Sequence, residues 1–338
     1  MIADYHILTF TDRGEQLGKR LAAVSGHRAT VHRVGDLKQT VGPLFVTGNV
    51  LVFIGAAGIA VRAIAPLLKS KAYDPAVIVI DEGGRFIVPI ISGHIGRANS
   101  QARKIASLIG ATAVITTATD VNKVFSFDGF AAEHGYLVVN PGMVKSVASA
   151  MLEGRTVGLY SDFAIDGGLP GSVELQDSGE LGVSISLDQT AEPFKRTLKL
   201  MPKCHAVGIG ARRGADAGLL EELFYATLSD HTILPETVST IASIDIKSDE
   251  PAIKALAEKL RVEFVTYSAE QLNDVAGDFE RSEFVWQTTG TGNVSEAAAY
   301  LASDGGALIQ PKIARDGLTL AIARKDWRVD FEVDNDRA

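Results

Sequence analysis

One cysteine in 338 residues, Cys204, rules out an intrachain disulfide and leaves too few thiolates for a structural zinc site. Long apolar runs are also missing. The longest, Val50–Val61, stops at Arg62 and is too short to span a bilayer. Residues 1–10 lack the basic head, apolar core and cleavage site of a secretory leader, so the expected location is the cytoplasm. Excess positive charge is absent: the net charge of −8 argues against a nucleic-acid partner, though it permits a local basic pocket for an acidic small molecule. The seven histidines are scattered, with no His-Glu-x-x-His and no Cys-x-x-Cys, so no metal site is expected. A Gly-x-Ser-x-Gly elbow is missing as well, since Ser92 has only one flanking glycine, and a serine-hydrolase triad is not expected.

What the chain does have is an ordinary core composition, with 46% hydrophobic and 22% charged residues, and enough length for two or three units. The fold expected is α/β, with two three-layer α/β/α lobes of mostly parallel sheet joined by a small middle subdomain. The boundaries read as 1–140, 141–203 and 204–329, with a fraying tail over 330–338. In the first lobe, strands are expected at His6–Phe10, Val50–Ile54, Ala76–Ile80, Ala113–Thr116 and Leu137–Val139. Several are continuous Val/Ile runs, as in strands covered on both faces. A helix is expected over Gly93–Gly110, where Ile95, Ala98, Ala102, Ile105 and Ile109 recur at helical spacing. The middle stretch is Gly-, Ser- and Asp-rich, with short strands at Thr156–Tyr160 and Gly182–Leu187. The second lobe reads as strands near Ala206–Ile209, Ile241–Ser243, Glu263–Thr266, Glu283–Gln287, Ala307–Ile309 and Thr319–Arg324, separated by helices.

Ligands of open α/β sheets bind beyond the carboxyl ends of the strands, so the strand-to-helix junctions carry the candidate residues. The first, Gly55-Ala56-Ala57-Gly58, opens a helix carrying Arg62; Gly55 and Gly58 would present backbone N–H groups and Arg62 a guanidinium to an anion. A tight turn with an exposed arginine competes evenly. The second is Ser92-Gly93-His94, followed by Asn99. His94 is the natural general acid or base, and a position in the first helical turn would favour its neutral form. A lone histidine is more often structural. The third, Thr116-Thr117-Ala118-Thr119-Asp120, offers hydroxyls and an acid, with an N-cap as the rival role of Asp120. Asp81–Arg85 reads as a hairpin-like turn. In the second lobe Gly208, Gly210, Arg212 and Arg213 form a loop off the dinucleotide spacing and suited to a polycarboxylate; Gly292 and Ser295 form another, and Lys247 and Lys312 are further cations. A solvated loop capping the next helix is an equal reading around Lys247.

Together these stretches resemble the cobalt-precorrin 5A hydrolases of anaerobic cobalamin biosynthesis, the CbiG family. The resemblance lies in FIGAAGIAVRAIAP (53–66), DPAVIVID (74–81), SGHIGRAN (92–99), GATAVITTATD (110–120), VGIGARRG (207–214), ASIDIKSDE (242–250) and TGTGNVSEAAA (289–299), and covers residues 50 to 325. The second lobe also looks like a stand-alone protein of the aerobic pathway. Two positions depart from the family pattern: Ala211 stands where a cysteine is expected, ruling out a thiolate there, and Arg97 where a second glycine is expected.

The resemblance implies an anionic cobalt-corrinoid substrate whose δ-lactone is opened by water with loss of acetaldehyde. It implies no cofactor, because the cobalt arrives inside the substrate. From their position at strand ends, His94 is expected to be the general base or acid, Asp120 to orient it or the water, Thr116 and Thr117 to donate hydrogen bonds, and Arg62, Arg212, Arg213, Lys247 and Lys312 to hold carboxylates. A homodimer and transient contacts with neighbouring pathway enzymes remain open. Two rivals stand beside it: a non-catalytic carrier of corrinoid intermediates, and a nucleotide-binding oxidoreductase or methyltransferase, which the glycine spacing disfavours.

Overall fold

The computed structural model describes residues 4–26, 28–70, 73–275, 279 and 283–331. These divide into two compact units. The larger runs to residue 162, resumes over 167–200 and takes in 330–331; the smaller holds 163–166 and 201–329.

The larger unit contains two sheets. The first has six strands: β1 (Tyr5–Thr9), β2 (Ala29–Arg33), β3 (Val50–Ile54), β4 (Ala76–Ile80), β5 (Phe86–Ile91) and β6 (Thr112–Ala113), in the order β2-β1-β3-β4-β5-β6. Strands β1 to β4 are parallel. Their Val/Ile runs are buried on both faces, by α1 (Asp12–Val24) and α4 (Ala98–Ile109) on one side and by α2 (Leu37–Leu44) and α3 (Ala57–Ile64) on the other. Each fully buried Val, Leu or Ile contributes roughly 1.5–3 kcal/mol, which makes this double-sided core the main stabiliser of the sheet.

One strand breaks the parallel pattern. Asp81 accepts hydrogen bonds from the backbone N–H groups of Gly83, Arg85 and Phe86, and this turn folds β5 back antiparallel to β4. Ile91, the end of β5, therefore lies beside Val77 near the start of β4, while Ile54 and Ile80 mark the other end. The two rows are roughly 10 Å apart along the strands. Strand β6 runs parallel to β5 and leads toward the same edge.

Four local expectations are corrected here. Helix α4 begins only at Ala98, because 92–97 fold into a tight loop: Ala98 N–H reaches Ser92 C=O and Asn99 N–H reaches Gly93 C=O. His94 is therefore in a loop, not in a first helical turn. Strand β6 ends at Ala113, so Thr116 and Thr117 belong to an irregular segment before the short α5 (Ala118–Val121). The strand expected at 137–139 is β7 (Tyr136–Val138), and it joins the second sheet instead of the first. Phe331, expected in the fraying tail, is fully buried and packs on Phe125, Phe127 and Phe130; residues 332–338 lie outside the described ones.

The second sheet follows α6 (Phe127–Glu133) and α7 (Val144–Leu152). It contains β7, β8 (Val157–Ser161), β10 (Val173–Leu175), β11 (Gly179–Ile185) and β12 (Phe194–Pro202), in the order β10-β8-β11-β12-β7; β9 (Ile165–Asp166) falls in the smaller unit.

The smaller unit is a three-layer α/β/α sandwich. Its sheet, β15-β14-β13-β17-β16, is built from β13 (His205–Ala211), β14 (Val238–Ile244), β15 (Glu263–Tyr267), β16 (Ala307–Arg315) and β17 (Leu318–Arg324). Helices α8 (Ala217–Asp230) and α9 (Pro251–Leu260) cover one face, and α10 (Ala269–Asn273) and α12 (Ser295–Ala302) the other. The strand expected at 283–287 is instead α11 (Glu283–Thr289). The β-propensity of Phe284-Val285-Trp286 is a weak preference. The segment ends as a helix does, with Gly290 at φ 75° and its N–H on the Trp286 carbonyl.

Candidate functional site

The loop 92–97 is shaped by close approach. A side chain at Gly96 would put its Cβ 2.4 Å from that of Ser92, and one at Gly93 would meet Asn99 Oδ1 at 2.8 Å. Ser92 Oγ donates to the Asp74 carbonyl, fixing the loop to the sheet. Arg97 holds the left-handed conformation at φ 66°, which favours glycine, the residue the family pattern expects there.

This loop projects His94 into a cluster of charges. Its Nε2 lies 3.0 Å from Asp120 Oδ2 and its Nδ1 3.3 Å from Asp128 Oδ1 and 3.1 Å from Ser126 Oγ. Asn99 Nδ2 donates both to Asp120 Oδ2 (3.0 Å) and to Thr117 Oγ1 (2.8 Å). Arg103 holds the other oxygen of Asp120 at 2.6 Å. Thr119 Oγ1 is 3.3 Å from His94 Nε2. Burial alone would lower the His94 pKa, but the hydrogen bonds and charges of Asp120 and Asp128 outweigh it and raise it to about 9. For Asp120, burial acts to raise the pKa; His94 and Arg103 prevail and hold it below the usual carboxylate range. The ring is thus an imidazolium at neutral pH. The neutral histidine expected from a helix N-terminus is corrected, because the helix starts four residues later and two carboxylates flank the ring.

Two cavities meet at this ring. One, of about 280 Å3, is lined by Ser92, Gly93, Asn99, Thr116, Thr117 and the apolar Pro89–Ile91. The other, of about 480 Å3, lies between α4 and α5 on one side and α6, α7 and the 170–172 loop on the other. Five of the expected binding residues and the two expected catalytic ones therefore come together. Ser126 and Asp128, which sequence reasoning passed over, come from the start of α6, where Ser126 caps the helix. The available signal was Ser-x-Asp-Gly after an apolar run, which reads as ordinary helix capping.

The other expected residues are placed as follows. Gly55, Gly58 and Arg62 follow β3 and lie at the opposite edge of the sheet from the end of β5; Arg62 is in the last turn of α3 and exposed. In the smaller unit the glycines serve packing. A Cβ at Gly208 would fall 1.9 Å from the Ser295 carbonyl of α12, and one at Gly210 2.3 Å from Thr319 Oγ1. Gly292 and Ser295 are buried. Lys247 pairs with buried Glu250 at 3.6 Å, and Glu250 also accepts from the Gly214 and Ala215 N–H groups. Lys312 donates its backbone N–H to Glu296. Arg212 lies over Gly317, and both Arg212 and Arg213 are exposed. Among the described residues no group of three or more His, Cys, Asp or Glu is placed to hold a metal ion, and no helix is long and apolar enough to cross a membrane.

Comparison with known proteins adds an independent finding. Three family models tile the chain: Cobalamin synthesis G N-terminal over residues 39–120, Cobalamin biosynthesis central region over 125–202, and Cobalamin synthesis G C-terminus over 205–323. The cobalt-precorrin-5A hydrolase of Salmonella typhimurium is 35% identical over 345 residues, covering 94% of this chain and 96% of that protein. Protein CobE of a Sinorhizobium species is 33% identical over 119 residues, 35% of this chain and 77% of that one. A crystal structure of a cobalamin biosynthesis protein G homolog from Sulfolobus solfataricus aligns over 95% of this chain and 97% of its own, at 22% identity and a TM-score of 0.44.

Proposed function

The chain belongs to the cobalt-precorrin-5A hydrolase family, and from that premise we propose that the cavities around His94 are where its reaction takes place. The protein is a hydrolase acting on a carbon–carbon bond. It opens the δ-lactone of cobalt-precorrin 5A and releases acetaldehyde to give cobalt-precorrin 5B.

The chemistry sets two proton demands. Water adding to the lactone carbonyl leaves its own protons on the new carboxylic acid, which releases one to solvent. The two demands fall on the ring oxygen, which must gain a proton as the ring opens. When acetaldehyde leaves, that same oxygen becomes the aldehyde oxygen and must lose it, while the electrons of the broken carbon–carbon bond pass to the macrocycle. A histidine that starts protonated answers both demands in order: His94 gives its proton on ring opening and takes it back as the aldehyde departs. Asp120 and Asp128 hold the imidazolium in place and keep it charged until the lactone oxygen draws on it. Thr116 and Thr117 line the smaller cavity, where their hydroxyls are hydrogen-bond donors for the lactone carbonyl.

The single observation that carries this reading is the clamp of two carboxylates on the two ring nitrogens. Neither step needs a net oxidant or reductant, so the reading calls for no nicotinamide and no resident metal; the cobalt is part of the substrate. The partner is a small-molecule corrinoid, and the working place the cytoplasm. Anaerobic incubation with the lactone substrate, followed by an acetaldehyde assay, tests the site. His94→Gln should reduce release by at least about a hundredfold, within the range general acid–base groups contribute. Wild-type turnover by that variant would remove His94 from the mechanism.

A further inference from the structure

Two cations face the larger cavity without serving the acid–base step. Arg103 uses one N–H on Asp120 Oδ1, but a guanidinium has five, and the side chain stays 44% exposed on the cavity wall. Lys123 lines the same cavity and has no ion-pair partner among the described residues. Its position is built, not incidental. Helix α5 stops at Val121, and Lys123 takes the left-handed conformation at φ 53°. The Val124 N–H, on the Thr119 carbonyl, closes that turn. A non-glycine residue in this region costs about 1 kcal/mol, so the turn is maintained against its own preference.

The carboxylates of the cavity engage Arg103 through a single Asp120 oxygen and leave Lys123 without an ion pair among the described residues. Asp120 is already engaged by His94, Asn99 and Arg103, and Glu133 is not free. In a chain of net charge −8, two cations lining one cavity mark a place for an incoming anion. Phe125, Phe130 and Met151 line the same cavity, apolar surface suited to the hydrocarbon edge that carries such an anion.

We propose that the larger cavity is a carboxylate subsite, in which Arg103 and Lys123 together hold one acidic side chain at the rim of the substrate beside His94. This rests on the reading of the His94 cavities as the reaction centre. Arg103 would then bridge substrate and Asp120, linking occupancy of the subsite to the acid–base pair, whereas Lys123 touches only the substrate.

Full-length wild type, Lys123→Met and Lys123→Arg separate the outcomes. With the lactone substrate under anaerobic conditions, Lys123→Met should raise KM about tenfold, the loss of one charge-assisted contact. Its kcat should stay within about twofold of wild type, and Lys123→Arg should restore KM. Succinate serves as an independent probe by calorimetric titration: it should bind wild type and bind Lys123→Met at least about fivefold more weakly. A wild type that turns over while Lys123→Met keeps the wild-type KM overturns the subsite, as does equal succinate binding by both proteins. If wild type releases no acetaldehyde, the reaction assignment fails, and succinate alone then decides for or against the subsite.

Discussion

Replacing Asp128 by asparagine keeps the size and the hydrogen-bond acceptor at His94 Nδ1 but removes a negative charge 3.3 Å away. In the wild-type protein the His94 pKa stands at about 9 against an ordinary 6.5. At 1.36 kcal/mol per unit, that shift corresponds to a contribution to stability on the order of 3 kcal/mol. The sign follows from the direction of the shift. A histidine raised by folding gives its full stabilisation below pH 6.5 and loses it as pH rises through about 9. Asp120 and Asp128 share the effect, so Asp128→Asn should lower the His94 pKa by on the order of 1–2 units. The variant should then be about 2 kcal/mol less stable than wild type at pH 6 and equal to it at pH 10, where the ring is neutral in both proteins. Urea denaturation at the two pH values measures the stability gap, and the imidazole resonances of His94, assigned by loss in His94→Gln, report its titration. A gap of equal size at both pH values would refute the argument, because a packing defect persists whatever the charge. So would a wild-type His94 that titrates near 6.5.

Other consequences lie away from the ring. Gly208→Ala should destabilise the smaller unit by about 3 kcal/mol or more, since the added methyl meets α12 backbone atoms that no rotamer can move; calorimetry should show its melting temperature fall. Glu250→Gln should cost about 2 kcal/mol in chemical denaturation, less than a fully buried pair because Lys247 keeps some contact with water, and adding Lys247→Met should recover part of it. Arg97→Gly should raise the melting temperature by a few degrees, because it relieves the left-handed backbone by about 1 kcal/mol and removes a buried Nε without a hydrogen-bond partner. The kcat/KM–pH profile should fall as pH rises through about 9 instead of rising through 6.5, since the acid form of His94 is the one required.

Much of the fold was legible because it depends on local patterns. The Val/Ile runs of β3 and β4 announce burial on both faces, and Ser268 with Gln271 forms a capping box where a helix was expected. The packing role of the second unit's glycines is hidden in the sequence for a physical reason: Gly208 meets α12, whose first residue is 87 positions away, and the glycine itself carries no sign of which backbone will approach it. The Lys247–Glu250 pair is hidden for the same reason, since Glu250 reads in sequence as one more charge in a solvated loop. Asp128 was invisible as a site residue because an acid in a first helical turn is adequately explained by the helix dipole. Only the folded chain brings it to the far nitrogen of His94.

The most consequential feature of the larger unit is the turn after β4. Asp81–Arg85 announces a hairpin, and a hairpin reverses the strand that follows it. Once β5 runs against β4, the residues after Ile91 must appear at the edge where β4 begins, and those after Ile54 at the edge where β3 ends. Gly55 and His94 therefore cannot share a cleft, however similar their junctions look in sequence. Strand β6, parallel to β5, carries Thr116 to Asp120 toward His94 for the same reason. One antiparallel strand thus divides the carboxyl ends of the strands between two edges of the sheet, and Arg103 and Lys123 line the cavity at the histidine's edge.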